Sequence, residues 1–116
     1  MWIVSTPTPG SPIVCRLSGE LDATRAGQLR EVMSELAHYS QVVLDLGDVR
    51  FMDSAGLGAL IGGLRQIREQ RGRVAIGPVP PNVDRLLRTV GVERLVPVEG
   101  TVEKACEALS TSVAIA

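Results

Sequence analysis

The stretch VVLDLGDVRFMDSAGLGALIGGLRQIREQRG, Val42 to Gly72, decides the fold. It opens on an apolar run, Val42-Val43-Leu44, that continues through Asp45 to Leu46. β-branched and aliphatic residues without alternation read as a strand covered on both faces. The polar residues after Leu46 read as a loop, and Asp53-Ser54 stand just before a helical pattern. Leu57, Leu60, Ile61, Leu64 and Ile67 recur at helical spacing and bury one stripe. Gly72 is placed to end that helix in a left-handed turn. Asp53 or Ser54 is therefore the N-cap, at the carboxyl end of a strand, where open α/β sheets put their binding sites.

Ala55, Gly58, Ala59 and Gly62 form a second stripe on this helix, roughly opposite the apolar one, with Gly63 on its flank. Each interior glycine costs about 0.5–1 kcal/mol relative to alanine, so stability alone does not explain them. Two readings follow. The bare face is a surface that another molecule approaches closely, or the glycines let the helix pack tightly on a neighbour in the same chain.

Upstream of the central strand, Met1 to Ser5 reads as a short edge strand that frays, and Thr6 to Pro12 (TPTPGSP) as a proline-rich break. Ile13 to Ser18 reads as a strand ended by Gly19. Asp22 or Thr24 then caps a helix with apolar positions Ala26, Leu29, Val32, Met33 and Leu36. His38, the one histidine, lies at that helix's end, where a cation suits the dipole. Downstream, Arg73 to Gly77 is a short strand. Pro80 or Pro81 opens a helix with Val83, Leu86, Leu87 and Val90 buried and Gly91 at its end. Leu95 to Val98 reads as a last strand and Val102, Ala105, Cys106 and Leu109 as a last helix, with the tail from Ser110 expected to fray. Strand–helix alternation with short links gives an α/β fold, its sheet mostly parallel with right-handed crossovers and made mixed by the opening antiparallel pair.

At 116 residues the chain reads as one domain. With Trp2, Tyr39 and Phe51 its only aromatic residues, the core must be aliphatic. A net charge of −1 with mixed signs argues against a nucleic-acid footprint. Cys15 and Cys106 fit no metal or redox spacing and read as buried free thiols. No secretory leader and no apolar run of the ~20 residues needed to span a bilayer is present, which places the protein in the cytosol.

The chemistry is narrowed by what is missing. Neither GxxxxGK[ST] nor a GxGxxG after a strand occurs, and DSAGLG is not a nucleophile elbow. His38 is the only possible imidazole base, and carboxylate catalysis needs Asp22, Asp45, Asp48 or Asp53 to converge on a pocket. Catalysis is not expected, nor a cofactor or metal. What remains is a hydroxyl at a helix N-terminus, where free N–H groups and the dipole favour an anion. A phosphate there adds about −1.5 to −2 charges. Two such charges about 5 Å from a partner's carboxylate repel by roughly 2 kcal/mol in water and about 7 at an effective dielectric of 20. Binding is switched without unfolding. The plain alternative is that Ser54 is a helix cap and nothing more.

LSGELD at Leu17 to Asp22, LDLGDVRFMDSAGLGALIG at Leu44 to Gly62 and PPNVDRLLRTVGVERLVPV at Pro80 to Val98 together resemble the STAS domain of anti-sigma factor antagonists. The resemblance spans about residues 13 to 110. It implies the STAS fold, a four- to five-stranded mixed sheet with about four helices packed mainly on one face. It also implies that Ser54 is phosphorylated by an anti-sigma factor that is itself a serine kinase. The unphosphorylated protein would bind that factor and release a sigma factor. Phosphorylation would disable it, and a metal-dependent serine phosphatase would restore it. The kinase would hold the ATP, so no cofactor is implied here, and the protein would be a monomer or weak dimer. Asp22 and Asp53 match acidic positions flanking the site, and Ala55, Gly56, Gly58, Ala59 and Gly62 complete the implied partner surface. Position 55 is Ala where relatives often carry Ser or Thr, leaving Ser54 the only hydroxyl in the string. Two other readings stand beside this one. A receiver domain would be phosphorylated on Asp45, but Lys104 is misplaced for it. A STAS module could instead serve a transport or signalling complex, with Ser54 only a cap.

Overall fold

Strand β3, Gln41–Met52, is the axis of the molecule. Its apolar half feeds two cores: Val42, Leu44 and Leu46 enter the main one, and Val43 enters a smaller one with Ala75, Ala105 and Leu109. Covered faces on both sides explain the unbroken apolar run. The structure, a computed structural model, describes residues 2–4 and 10–113, with side chains described for 10–110. Strands β2 (Ile13–Leu21) and β4 (Arg73–Ile76) flank β3 in parallel, and β1 (Trp2–Val4) pairs antiparallel with β2. The result is a mixed four-stranded sheet in the order β1-β2-β3-β4.

The helices are α1 (Ala26–Leu36), α2 (Ser54–Glu69), α3 (Pro81–Thr89) and α4 (Val102–Val113). The first three send Leu29, Met33, Leu60, Leu64, Ile67, Val83 and Leu87 into the main core, while Ala105 and Leu109 of α4 close the other face. Each fully buried aliphatic side chain contributes roughly 1.5–3 kcal/mol. The helices thus lie mainly on one face, as the resemblance implies.

Several local expectations are corrected. No loop follows Leu46, because β3 runs on to Met52 and pairs there with Leu21. Gly19 does not end β2. With φ +85 it sits at one of two register shifts, and the bulged strand continues to Leu21. Leu95–Val98 is not a strand: a 3-10 turn, Val92–Arg94, precedes it, and Val96 N–H donates back to Val92 O. Pro97 has no N–H for a ladder, so only Val98 forms a single parallel bridge, to Ile76.

Helix ends also differ. Arg25, not Asp22 or Thr24, is the N-cap of α1. At the end of α2 the left-handed residue is Arg71 (φ 65), and Gly72 N–H donates to Ile67 O at 2.8 Å. Gly72 is needed for space, since a Cβ there would lie 2.9 Å from Ile67 Cγ2. Pro80 caps α3, Pro81 begins it, and Gly91 (φ 80) follows it, but Val90 is exposed. The helix α4 continues past Ser110 to Val113. Cys15 is buried and Cys106 half-buried, both as free thiols. Met1, Ser5, the prolines at 7 and 9 and the last three residues of the expected tail lie outside the described residues.

Candidate functional site

The ends of β2 and β3 and the start of α2 converge on one carboxylate. Asp53 is the N-cap of α2, its Oδ1 accepting from Gly56 N–H at 2.9 Å. Its Oδ2 accepts from Ala23 N–H at 3.1 Å, and its own N–H donates to Leu21 O at 3.2 Å. Such a cap is worth about 1 kcal/mol, and here it also ties the β2–α1 turn to α2. Gly56 makes that junction possible. A Cβ on it would lie 1.9 Å from Leu21 O, so the first turn of α2 rests directly on the end of β2.

Ser54, the first residue of α2, points outward from this junction. It is exposed, and its hydroxyl has no hydrogen-bond partner among the described residues. Asp22 lies in the adjoining turn, but it neither caps α1 nor bonds to Ser54. Its Oδ1 accepts from Thr24 Oγ1 at 2.6 Å and Thr24 N–H at 3.1 Å, closing a turn ahead of α1. The Thr24 hydroxyl, with backbone N–H groups behind it, holds the Asp22 carboxyl below the usual carboxylate range.

The small-residue stripe divides in two. Gly58 and Gly62 are exposed, and a Cβ on either would meet nothing within 4 Å. Ala59 is buried at 3% exposure, and Ala55 is half-buried against the main core. Gly56 and Gly63 are internal contacts, the latter with a Cβ position 2.4 Å from Met33 Cβ on α1. Gly56, expected on a partner surface, therefore faces inward, while Ala59, though buried, still lines the groove that remains. What is open is a groove of about 250 Å³ between α1 and α2, lined by Arg30, Ser34 and Gln66 around Gly58, Ala59, Gly62 and Gly63. Ser34 Oγ donates across it to Gln66 Oε1 at 3.2 Å.

Four residues beside the site were missed from sequence because their stretches were taken for loop and turn. Phe51, 49% exposed, pairs on the β2–β3 ladder with Glu20. Glu20 in turn meets Arg50 at 2.9 Å and Arg25 at 3.4 Å. From Gly47 to Met52 only Val49 and Met52 are buried, so no two-residue period marked the stretch as a strand. Asp45 does not join Asp22 and Asp53. It is buried in mid-strand, accepting from Arg16 Nε at 3.3 Å and Gly47 N–H at 2.9 Å, which removes it as a receiver-type phosphoacceptor. Asp48 is exposed. Among the described residues, no three His, Cys, Asp or Glu side chains gather to hold a metal, and no helix is long and apolar enough to cross a membrane.

Sequence and fold both match a known family. Residues 4–105 fit the model of the STAS domain, and the chain belongs to that family. An anti-sigma F factor antagonist of Paenibacillus polymyxa is 37% identical over 89 residues, covering 74% of this chain and 76% of that one. An anti-sigma factor antagonist from Mycobacterium paratuberculosis has the same fold, with a TM-score of 0.75 at 23% identity over 93% of each chain. So does the Bacillus cell fate determinant SpoIIAA in its phosphorylated form, with a TM-score of 0.68 at 22% identity, covering 90% of this chain and 96% of that one.

Proposed function

We propose that this chain is an anti-sigma factor antagonist that works in the cytoplasm as a binding protein, not an enzyme. Unphosphorylated, it docks on an anti-sigma factor through Ser54, Gly58 and Gly62 of α2, with Asp22 and Asp53 at the rim and Ala55 between. The anti-sigma factor, acting as a serine kinase with its own ATP, phosphorylates Ser54, and a serine phosphatase reverses the mark. The observation that carries this reading is the position of Ser54: exposed, without a hydrogen-bond partner among the described residues, and at the positive end of a sixteen-residue helix. Asp53 already occupies Gly56 N–H, so a phosphoryl group at Ser54 meets a helix end that is capped and need not rearrange it. Its charge falls instead on whatever approaches Gly58 and Gly62. The names of the relatives and the existence of SpoIIAA in a phosphorylated form support the same reading.

The test is intact mass after incubation with candidate anti-sigma kinases and Mg-ATP, beside Ser54→Ala. One phosphate, absent from the variant, is expected. Ser54→Asp should weaken binding of the same kinase at least tens-fold, on the order of 2 kcal/mol or more. Absence of phosphate with every candidate, together with nucleotide-independent binding of a transport or signalling protein, would overturn the switch.

A further inference from the structure

The far end of α2 carries a second surface that the serine switch does not use. Ile61 and Arg65 of α2 face Val90, Arg94 and Leu95 across a hollow of about 220 Å³. An adjoining hollow of about 410 Å³ shares Arg65 and Leu95 and adds Arg68. Val90 is 49% exposed, one of the few large apolar side chains left uncovered. The guanidinium groups deserve comparison with others in the chain. Arg16, Arg25, Arg50 and Arg88 each meet a carboxylate. Arg65, Arg68 and Arg94 have no such ion pair among the described residues, as is also true of Arg30, Arg71, Arg73 and Arg85. The first three, however, gather around the two hollows, whose larger one Glu69 also lines. In a chain of net charge −1, this concentration of free positive charge around apolar side chains is local. Arg68 also suits the carbonyl end of α2, and Arg94 closes the 3-10 turn, which leaves Arg65 without such a role.

We propose that this apolar hollow ringed by Arg65, Arg68 and Arg94 docks an acidic amphipathic segment of a partner protein. An aliphatic or aromatic anchor would sit against Ile61, Val90 and Leu95, and flanking carboxylates would meet the three guanidinium groups, whose planar forks suit them. Both hollows lie open to solvent, which favours a laid-on segment over an enclosed small molecule. Ser54 is eleven residues away along α2, roughly 16 Å at helical rise, so the two surfaces can be occupied together.

The test uses the full chain, isotopically labelled, and the peptide Ac-DELLEDIFEE-NH2. Amide shifts centred on Ile61, Arg65, Val90, Arg94 and Leu95 are expected, with affinity falling as salt rises. Exchanging the peptide's apolar residues for serine should abolish them. The Arg65→Glu/Arg68→Glu/Arg94→Glu variant should bind about tenfold more weakly or worse while keeping its helical circular dichroism, and Ser54→Asp should bind as well as the parent. No shifts, shifts centred on Gly58 and Gly62, or binding unchanged in the triple variant would overturn the proposal. A concentration-dependent dimer abolished by the triple variant would overturn it as well, assigning the hollow to a second copy of the chain.

Discussion

Two pairs of glycines in one helix do opposite things. Gly56 and Gly63 touch: one meets the Leu21 carbonyl, the other the root of Met33, and neither contact leaves room for a methyl group. Gly58 and Gly62, in the same turns, face open space. The first pair sets how closely α2 lies on β2 and α1. The second pair does nothing for the fold, and at about 0.5–1 kcal/mol each in lost helix propensity it destabilises it. Internal packing therefore accounts for the first pair and not for the second, which is the pair assigned above to the proposed docking face.

Gly56→Ala should give the largest effect. Its obstacle is backbone rather than a side chain that can swing away, so a loss of about 3 kcal/mol or more in urea unfolding is expected. Gly63→Ala should follow at about 1–3 kcal/mol, because Met33 Cβ cannot move without shifting α1. A mild effect at either position would break the contrast. Asp53→Ala should cost about 1–2 kcal/mol, and Asp53→Asn should recover part of it, keeping one acceptor but not both. Gly58→Ala and Gly62→Ala should each raise stability by about 0.5–1 kcal/mol, while Gly62→Leu should weaken partner binding with an equal or higher melting temperature. A stability loss at Gly62 would show that this face is packed after all.

The smallest effect should be at Asp22. Its lowered pKa means the folded state favours the carboxylate. That contribution is present above the unfolded pKa and is lost as pH falls through the folded one. Asp22→Asn should therefore narrow the stability gap between neutral and acid pH, read from paired denaturation curves. An unchanged gap would mean that the Thr24 contacts do not persist in solution.

The split between the glycine pairs bears on what could be read from the chain. Leu57, Leu60, Leu64 and Ile67 announced their own burial because each side chain carries its preference. A glycine carries none, and its neighbour is decided by a carbonyl at Leu21 or a methionine at position 33. The seven-residue spacing of Gly56 and Gly63, in phase with Leu60 and Ile67, was the one hint. Ser54 was legible for the opposite reason, since an N-terminal hydroxyl on a helix is set by local sequence. Local sequence narrowed the cap only to Asp53 or Ser54, and the geometry gives it to Asp53. The extension of β3 through Gly47–Arg50 was hidden because its pairing depends on bulges in β2, and its mostly exposed residues imitate a polar loop. At Leu95–Val98 the apolar pattern was genuine, but a proline without a donor reduced the strand to one bridge.

One carboxylate described above has a mechanical consequence. Because Asp53 accepts from Ala23 on one oxygen and from Gly56 on the other, the turn 22–25 and the first turn of α2 are coupled through one side chain. The Ala23 amide, in a surface turn, thereby gains a partner held in place by a helix terminus, which should slow its hydrogen exchange. A partner arriving at either segment finds both already in place, with little ordering entropy left to lose on contact.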